Sequence, residues 1–265
     1  LHGTEASRRL EAAAAVTLPP HTLMQRAGLS VARLALALAP HARTVWIACG
    51  PGNNGGDGYV LAKHALESGR EPRVLQLLPP RTDLAQRACA EFVQAGGRVE
   101  TECRGFDSID LVVDALFGIG LARAPEGKAA AWIDAINASG MPVFAIDVPS
   151  GVDADRGSAS GIAVRAARTL ECIAPKAGLR TGAALDHAGA LSLAALDVPA
   201  SAFDGIRPAA EWLDAGCLAG LLPKRRRDSH KGDNGRVLCV GGDHGMGGAV
   251  LLCAEAALRA GAGLV

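Results

Sequence analysis

The sequence predicts an α/β fold: a mainly parallel sheet covered by helices on both faces. Two observations carry this. Short apolar runs that end in glycine-rich or acidic loops alternate with helix-length amphipathic segments between residues 44 and 195. Alternation at this spacing implies βαβ units, whose crossover helices cover both faces of the sheet. The 265 residues are also 49% hydrophobic and only 20% charged, enough for a sizeable buried core. Aromatics make up 3%, so Ala, Val and Leu must do the packing.

The elements follow in order. Residues 21–39 carry Leu23, Met24, Ala27, Val31, Leu34, Ala35 and Leu38 at spacings of three and four, an amphipathic helix that Pro40 stops. Residues 44–49 read as a buried strand leading into a glycine-rich loop. A helix is predicted over 59–68, closed by Gly69, and a strand over 73–78. The next helix covers 83–95, with Asp83 as N-cap and Gly96 and Gly97 as its stop. A weak strand covers 98–102 and a clear one 111–114. A helix over 128–139 precedes Gly140, and a strand spans 143–147. Two later strands fall at 169–173 and 190–195.

The character changes near Asp204. Residues 209–222 read as a short helix, followed by the basic run 224–227. A strand over 237–240, a glycine-rich stretch over 241–248 and a helix over 249–260 form a new unit. One βα unit cannot bury both faces of its strand, so this part reads as the start of a second domain. The expected division is 1–204 and 205–265.

Balanced charge, 27 basic against 27 acidic residues, argues against a general nucleic-acid binder. The seven cysteines are odd in number and form no CxxC pair, which disfavours a disulfide framework or a zinc site and points to a reducing cytoplasm. No stretch reaches the roughly 18 apolar residues that span a bilayer. Arg8 and Arg9 hint at a signal peptide, but Glu11 and the short apolar run after it argue against one. The chain begins at Leu1, as a trimmed chain would.

Three strand ends carry unusual polar residues, and open parallel sheets bind ligands at such ends. The first is GPGNNGGDG at residues 50–58. Its glycines let a backbone approach a ligand and free amides for a phosphate. It is neither a GxGxxG fingerprint nor a P-loop. A plain tight turn is the alternative, though two Asn and an Asp exceed what a turn needs. The second is DALFGIGL at residues 114–121, where Asp114 closes an apolar strand. A carboxylate there is costly to bury without a partner, and a capping or turn aspartate is the alternative. The third is DVPSGVD at residues 147–153, in which Pro149 and Gly151 aim Ser150 back at the same edge. It is not the GxSxG elbow of a serine hydrolase. If the three ends converge, Asn54, Asp114 and Ser150 form an all-oxygen set suited to a hard cation.

The segments CGPGNNGGDGYVLAKHA, DALFGIGLARA and AIDVPSGVDAD closely resemble the NAD(P)H-hydrate epimerase family, also called the apolipoprotein A-I binding protein family. LMQRAGLSVA and APKAGL resemble it too, and the likeness covers roughly residues 5–200. From residue 223 the chain resembles the opening of the ADP/ATP-dependent NAD(P)H-hydrate dehydratase, which has a ribokinase-like fold. The two activities occur fused in this order in bacterial bifunctional repair enzymes.

The resemblance implies a Rossmann-like three-layer domain followed by the truncated start of a ribokinase-like domain. It implies an epimerase that interconverts the R and S forms of NADHX and NADPHX, in a parent that would also dehydrate the S form with ADP or ATP. Asn53, Asn54, Gly55, Gly56 and Asp57 would bind the hydrated dinucleotide, with Gly118, Ile119, Gly120, Leu121, Ala122, Arg123 and Ala124 holding it through the second loop. Asp147 would contact the nicotinamide end, and as a carboxylate at the strand end nearest the expected ring site it is expected to serve as general acid/base. Asn54, Asp114 and Ser150 match the family's potassium ligands. Ile119 departs from the family, which often has Thr there, and removes one hydroxyl contact.

The dehydratase's nucleotide site lies downstream of Val265 in that family, so no dehydration is expected from this chain. The basic run at 225–227 is expected to be a solvated inter-domain segment. Nucleic acid and membrane are not expected partners, and a homo-oligomer is left open. A non-catalytic dinucleotide- or protein-binding module on the same fold is the alternative; the Asp114, Asp147 and Ser150 set favours the enzyme. A sugar-kinase reading draws only on residues after 223.

Overall fold

The structure is a computed structural model that describes residues 1–265 except Arg104, Ala122 and Pro223. Its contacts divide the chain into two units, Leu1–Glu211 and Trp212–Val265.

The first unit is built on seven strands: β1 (Thr44–Cys49), β2 (Glu71–Gln76), β3 (Val99–Glu100), β4 (Leu111–Ala115), β5 (Val143–Ile146), β6 (Arg168–Cys172) and β7 (Ala190–Ala194). They form one sheet in the order β3-β2-β1-β4-β5-β6-β7, and every pairing is parallel. The α-helices are α1 (Thr4–Thr17), α2 (Thr22–Leu38), α3 (Asn53–Glu67), α4 (Asp83–Gln94), α5 (Gly127–Ala138) and the single turn α6 (Ala184–His187).

Side chains alternate across each strand, so one strand feeds two cores. Val45, Ile47 and Cys49 of β1 join the core made with α2, α3 and α4. Trp46 and Ala48 join the opposite core, with Trp132, Ile133 and Ile136 of α5. Ile47, Ile133 and Ile136 are at most 1% exposed, and each contributes about 1.5–3 kcal/mol by burial. These are the three layers that the alternation predicts.

The chain runs outward from β1 to β3 and then returns to place β4 on the other side of β1. The order therefore reverses between β1 and β4, where the adjacent loops separate and a ligand crevice opens. Ala48 pairs with Asp114, and Asp114 with Ala145, so the chemistry-bearing ends of β1, β4 and β5 lie in register.

Several boundaries differ from the sequence reading. Helix α3 begins at Asn53, six residues before the predicted 59, so NNGGDG forms helical turns. Glycine's low helix propensity conceals this in the sequence, but packing requires it. A Cβ on Gly58 would lie 2.7 Å from Ala115 Cβ, and one on Gly55 would lie 1.9 Å from the Gly50 carbonyl. The N-cap of α4 is Thr82, whose side chain accepts from the Ala85 amide at 3.2 Å; Asp83 is the first helical residue. Asp114 lies inside β4, and Asp147 lies just past β5.

Helix α1, absent from the sequence reading, buries Ser7, Leu10 and Ala14 at spacings of three and four. Leu10 packs with Ala27, Ile173 and Leu196, so the basic pair Arg8-Arg9 belongs to a folded helix.

The second unit contains α7 (Ala215–Leu221), capped by the Asp214 side chain on the Cys217 amide, and α8 (Gly248–Ala260). The strand expected over 237–240 does not form. A strand exists only through a ladder partner, and among the described residues the sole pairing here is the bridge Arg236–Leu264.

Candidate active site

A cleft of about 480 Å³ opens at the carboxyl ends of β1, β4 and β5. Its walls come from the start of α3 (Asn53, Asn54, Asp57), the loop after β4 (Leu116–Gly120), Asp147 after β5 and Cys172 at the end of β6. Arg8 and Glu11 of α1, and Arg81 and Thr82 before α4, complete it.

Asp114 is fully buried. Its Oδ2 accepts the Ser150 amide at 2.7 Å, and its Oδ1 accepts the Ser150 hydroxyl at 2.6 Å and the Leu116 amide at 3.1 Å. All these donors are neutral. Burial therefore prevails over them and pushes the Asp114 carboxyl up to about 6. Ser150 Oγ in turn accepts the Phe117 amide at 2.9 Å and fixes the glycine loop. Asn54 is buried, and neither its side-chain oxygen nor its nitrogen has a hydrogen-bond partner among the described residues. An orphaned buried amide and a buried carboxylate with only neutral donors are each oxygen groups of the kind a hard cation takes.

Asp147 is 8% exposed and adopts φ 67°, the left-handed region that costs a non-glycine residue about 1–2 kcal/mol. Such backbone concentrates at functional sites. Here it turns the carboxylate toward the cleft while the Asp147 amide still donates to the Leu170 carbonyl at 2.8 Å. Asp147 Oδ1 receives the Lys176 ammonium and, at 3.1 Å, the Cys172 amide.

The surrounding groups are shifted from their ordinary values. Burial raises the Asp57 carboxyl well above its ordinary value, and the charges of Asp147 and Glu11 raise it further. Burial, then Asp147, raises Glu11. Burial, then Asp147, does the same to the Cys172 thiol. Burial works most strongly against the Lys176 ammonium, but the charge and hydrogen bond of Asp147, with Cys172 and Glu171, together outweigh it and the net movement is upward.

The structure brings together most of the residues singled out in the sequence. Asn53, Asn54, Asp57, Gly118, Ile119, Gly120 and Asp147 line the cleft. Gly55 and Gly56 turn inward, toward Gly50 and toward Met24 and Ala85. Leu121, Arg123 and Ala124 lie beyond the lining, and Ala122 is outside the described residues. Ile119 packs on the core of Val148, Val152 and Leu179, so its apolar side chain anchors the loop. Sequence reasoning did not single out Lys176, Glu11, Arg8 or Arg81. Lys176 stands in the APKAGL segment, where a lysine between proline and alanine carries no sign of burial; Glu11 and Arg8 lie in the helix that was not foreseen.

The family described as YjeF-related protein N-terminus matches residues 20–178. A relative from Escherichia coli, named bifunctional NAD(P)H-hydrate repair enzyme Nnr, is 41% identical over 96% of this chain and 50% of its own length. Its namesake from Coxiella burnetii is 41% identical over 92% of this chain and 51% of its own length. The bifunctional NAD(P)H-hydrate repair enzyme of Leishmania braziliensis is 40% identical over 96% and 47%. The chain thus spans about half the length of the curated relatives it matches. The crystal structure of the yeast protein ynu0 superposes with a TM-score of 0.67 at 20% identity, covering 80% of this chain and 96% of that one, which supports the fold. With the family match extending over more than half of its residues, this chain belongs to the YjeF-related protein N-terminus family.

Proposed function

We propose that this chain interconverts the R and S forms of hydrated NADH and NADPH, acting as the epimerase part of a nicotinamide-cofactor repair enzyme. The observation that carries the reading is Asp147: a carboxylate held in left-handed backbone, ion-paired on one oxygen, at the wall of a cleft sized for a small ligand.

The reaction needs no oxidant. The C6–O bond of the hydrated ring breaks, the ring nitrogen's lone pair fills the vacated orbital, and water re-forms the bond on the other face. Asp147 moves the proton: in its acid form it protonates the leaving hydroxyl, and as carboxylate it takes a proton from the returning water. Such transfer contributes about 10²- to 10⁴-fold. The transient ring is cationic, and the acidic side chains Asp147, Glu11 and Asp57 line the same cleft. The amides at the start of α3, the Gly118–Gly120 backbone and the Arg8 and Arg81 cations suit the dinucleotide phosphates. Asn53, Asn54, Gly55, Gly56, Asp57 and the loop from Gly118 to Ala124 are proposed to hold the substrate.

Asn54, Asp114 and Ser150 are proposed to hold potassium, supported by the unpartnered Asn54 amide and the neutral shell of Asp114. The ion would supply positive charge that keeps Asp114 ionised and orders the phosphate-facing loops. The second unit is proposed as the start of the dehydratase domain, where ADP or ATP would serve only the intact domain. The free cysteines support a cytoplasmic setting. Among the described residues no helix is long and apolar enough to cross a membrane.

The test is chromatographic. The chain is incubated with R-NADHX in potassium or sodium buffer, beside Asp147→Asn. Faster equilibration with S-NADHX that the variant loses supports the reading. Binding without acceleration over the spontaneous rate would favour a non-catalytic dinucleotide-binding module.

A further inference from the structure

Lys176 is the largest polar side chain buried in the first unit, at 1% exposure. Burying an ammonium is costly unless it is paired and hydrogen-bonded. The fold meets both needs beneath two residues of the cleft wall: Nζ donates to Asp147 Oδ1 and, at 2.7 Å, to the Cys172 carbonyl. The Lys176 amide donates to Glu171 Oε1 at 2.5 Å. Its loop is clamped on either side, with the His2 amide on the Pro175 carbonyl at 2.8 Å and the Ala177 amide on the His2 carbonyl at 3.0 Å. The lysine is thus delivered on a backbone fixed at several points.

The two oxygens of Asp147 are not equivalent. Both of its protein donors, Lys176 Nζ and the Cys172 amide, converge on Oδ1. Among the described residues no donor reaches Oδ2. Oδ2 faces the glycine loop, since a Cβ on Gly118 would lie 3.3 Å from it. Gly118 itself lines the cleft.

Resting on the epimerase reading, we infer that Lys176 is a positioning residue for Asp147: it clamps Oδ1 and leaves Oδ2 as the oxygen that exchanges the proton with the reacting hydroxyl. One carboxylate oxygen bound by two donors fixes the plane of the group, so its free oxygen has a single direction. That direction runs past Gly118, where a side chain would crowd the free oxygen. Lys176 also supplies buried positive charge directly against Asp147, in a neighbourhood where Glu11 and Asp57 add acidic groups. Without it the Asp147 carboxylate would rotate among its neighbours, and misplacement of about 1 Å can cost about 10²-fold in rate.

The experiment measures kcat and KM for conversion of R- to S-NADHX with the wild-type chain, Lys176→Met and Lys176→Arg, with thermal melting to establish that each is folded. Lys176→Met is expected to lower kcat about 10²-fold while KM stays within about threefold, because the phosphate-binding loops are untouched. Lys176→Arg is expected to recover at least a tenfold part of the loss. A folded Lys176→Met with wild-type kcat, or one that changes KM alone, overturns the inference. Should the Met variant not fold, Lys176→Gln, which keeps a donor without the charge, is read by the same kcat and KM criteria. An inactive wild-type chain would overturn the epimerase reading itself, whereas an active wild type with an equally active Met variant overturns only the role of Lys176.

Discussion

Ser150 holds Asp114 with two of its own groups: its hydroxyl lies 2.6 Å from Oδ1 and its amide 2.7 Å from Oδ2. The same hydroxyl accepts the Phe117 amide at 2.9 Å. One serine therefore ties the turn after β5 to the end of β4 and to the glycine loop. Ser150→Ala leaves a buried carboxylate short of one donor and the Phe117 amide without its acceptor. A loss of about 1–3 kcal/mol is expected, read as a shift in denaturant midpoint at unchanged slope.

Potassium is expected to stabilise the folded chain if Asn54, Asp114 and Ser150 bind it. At a hundred times its Kd, a ligand specific to the native state adds about 2.7 kcal/mol. Thermal melting in potassium against sodium reads this directly. Asn54→Ala should melt identically in the two salts; a potassium effect that survives this change would place the ion elsewhere.

Glu171 is fully buried and accepts Arg180 on both oxygens, at 2.9 and 2.7 Å. Arg180→Met leaves that carboxylate with the Lys176 amide as its remaining donor named above. The expected cost is about 3–5 kcal/mol, since a buried charge loses its countercharge. Adding Glu171→Gln to this variant should restore part of the stability, and a double variant no more stable than the single would refute the charge argument.

Gly58 and Gly52 flank the same motif but differ in their surroundings. A Cβ at Gly58 meets Ala115 Cβ at 2.7 Å and Cys49 Sγ at 2.8 Å, whereas one at Gly52 meets nothing within 4 Å. Gly58→Ala should destabilise by about 1–3 kcal/mol through overpacking, and Gly52→Ala should shift the melting temperature far less.

Asp110 tests pH dependence away from the cleft. Its Oδ2 accepts the Arg43 and Thr44 amides at 2.8 and 2.9 Å, and the Thr44 and then the Arg43 amide hold its carboxyl below the ordinary value. A carboxyl depressed in the folded state adds stability that is present above its unfolded value and is lost as pH falls through the folded one. Asp110→Asn should therefore be less stable than wild type at neutral pH. The gap should close as the buffer is taken below the ordinary carboxylate range, as measured by denaturant midpoints; a gap independent of pH would exclude the linkage.

The chain of strands and helices was largely legible because its periodicities are local. Val45, Ile47 and Cys49 against Trp46 and Ala48 can be read as a strand buried on both faces before any partner is known, and the structure places them in two cores. The start of α3 was not legible, because Asn53 to Gly58 carry residues of poor helix propensity that close packing demands. The expected strand at 237–240 failed for the converse reason: local apolar character was present, but a ladder partner was not.

By itself, then, the sequence determined the layered α/β architecture and that Asp114, Asp147, Ser150 and the Asn53-to-Asp57 run fall at or just after the carboxyl ends of strands. Local propensity and burial patterns reside in neighbouring residues and survive without a fold. Only the tertiary structure decided that Lys176 lies beneath Asp147, that Glu11 and Arg8 of α1 reach the same cleft, and that Asn54 there keeps an amide with no partner among the described residues. These juxtapositions join residues far apart in the chain. They follow from sheet order and from a left-handed turn at Asp147, neither of which leaves a local signature.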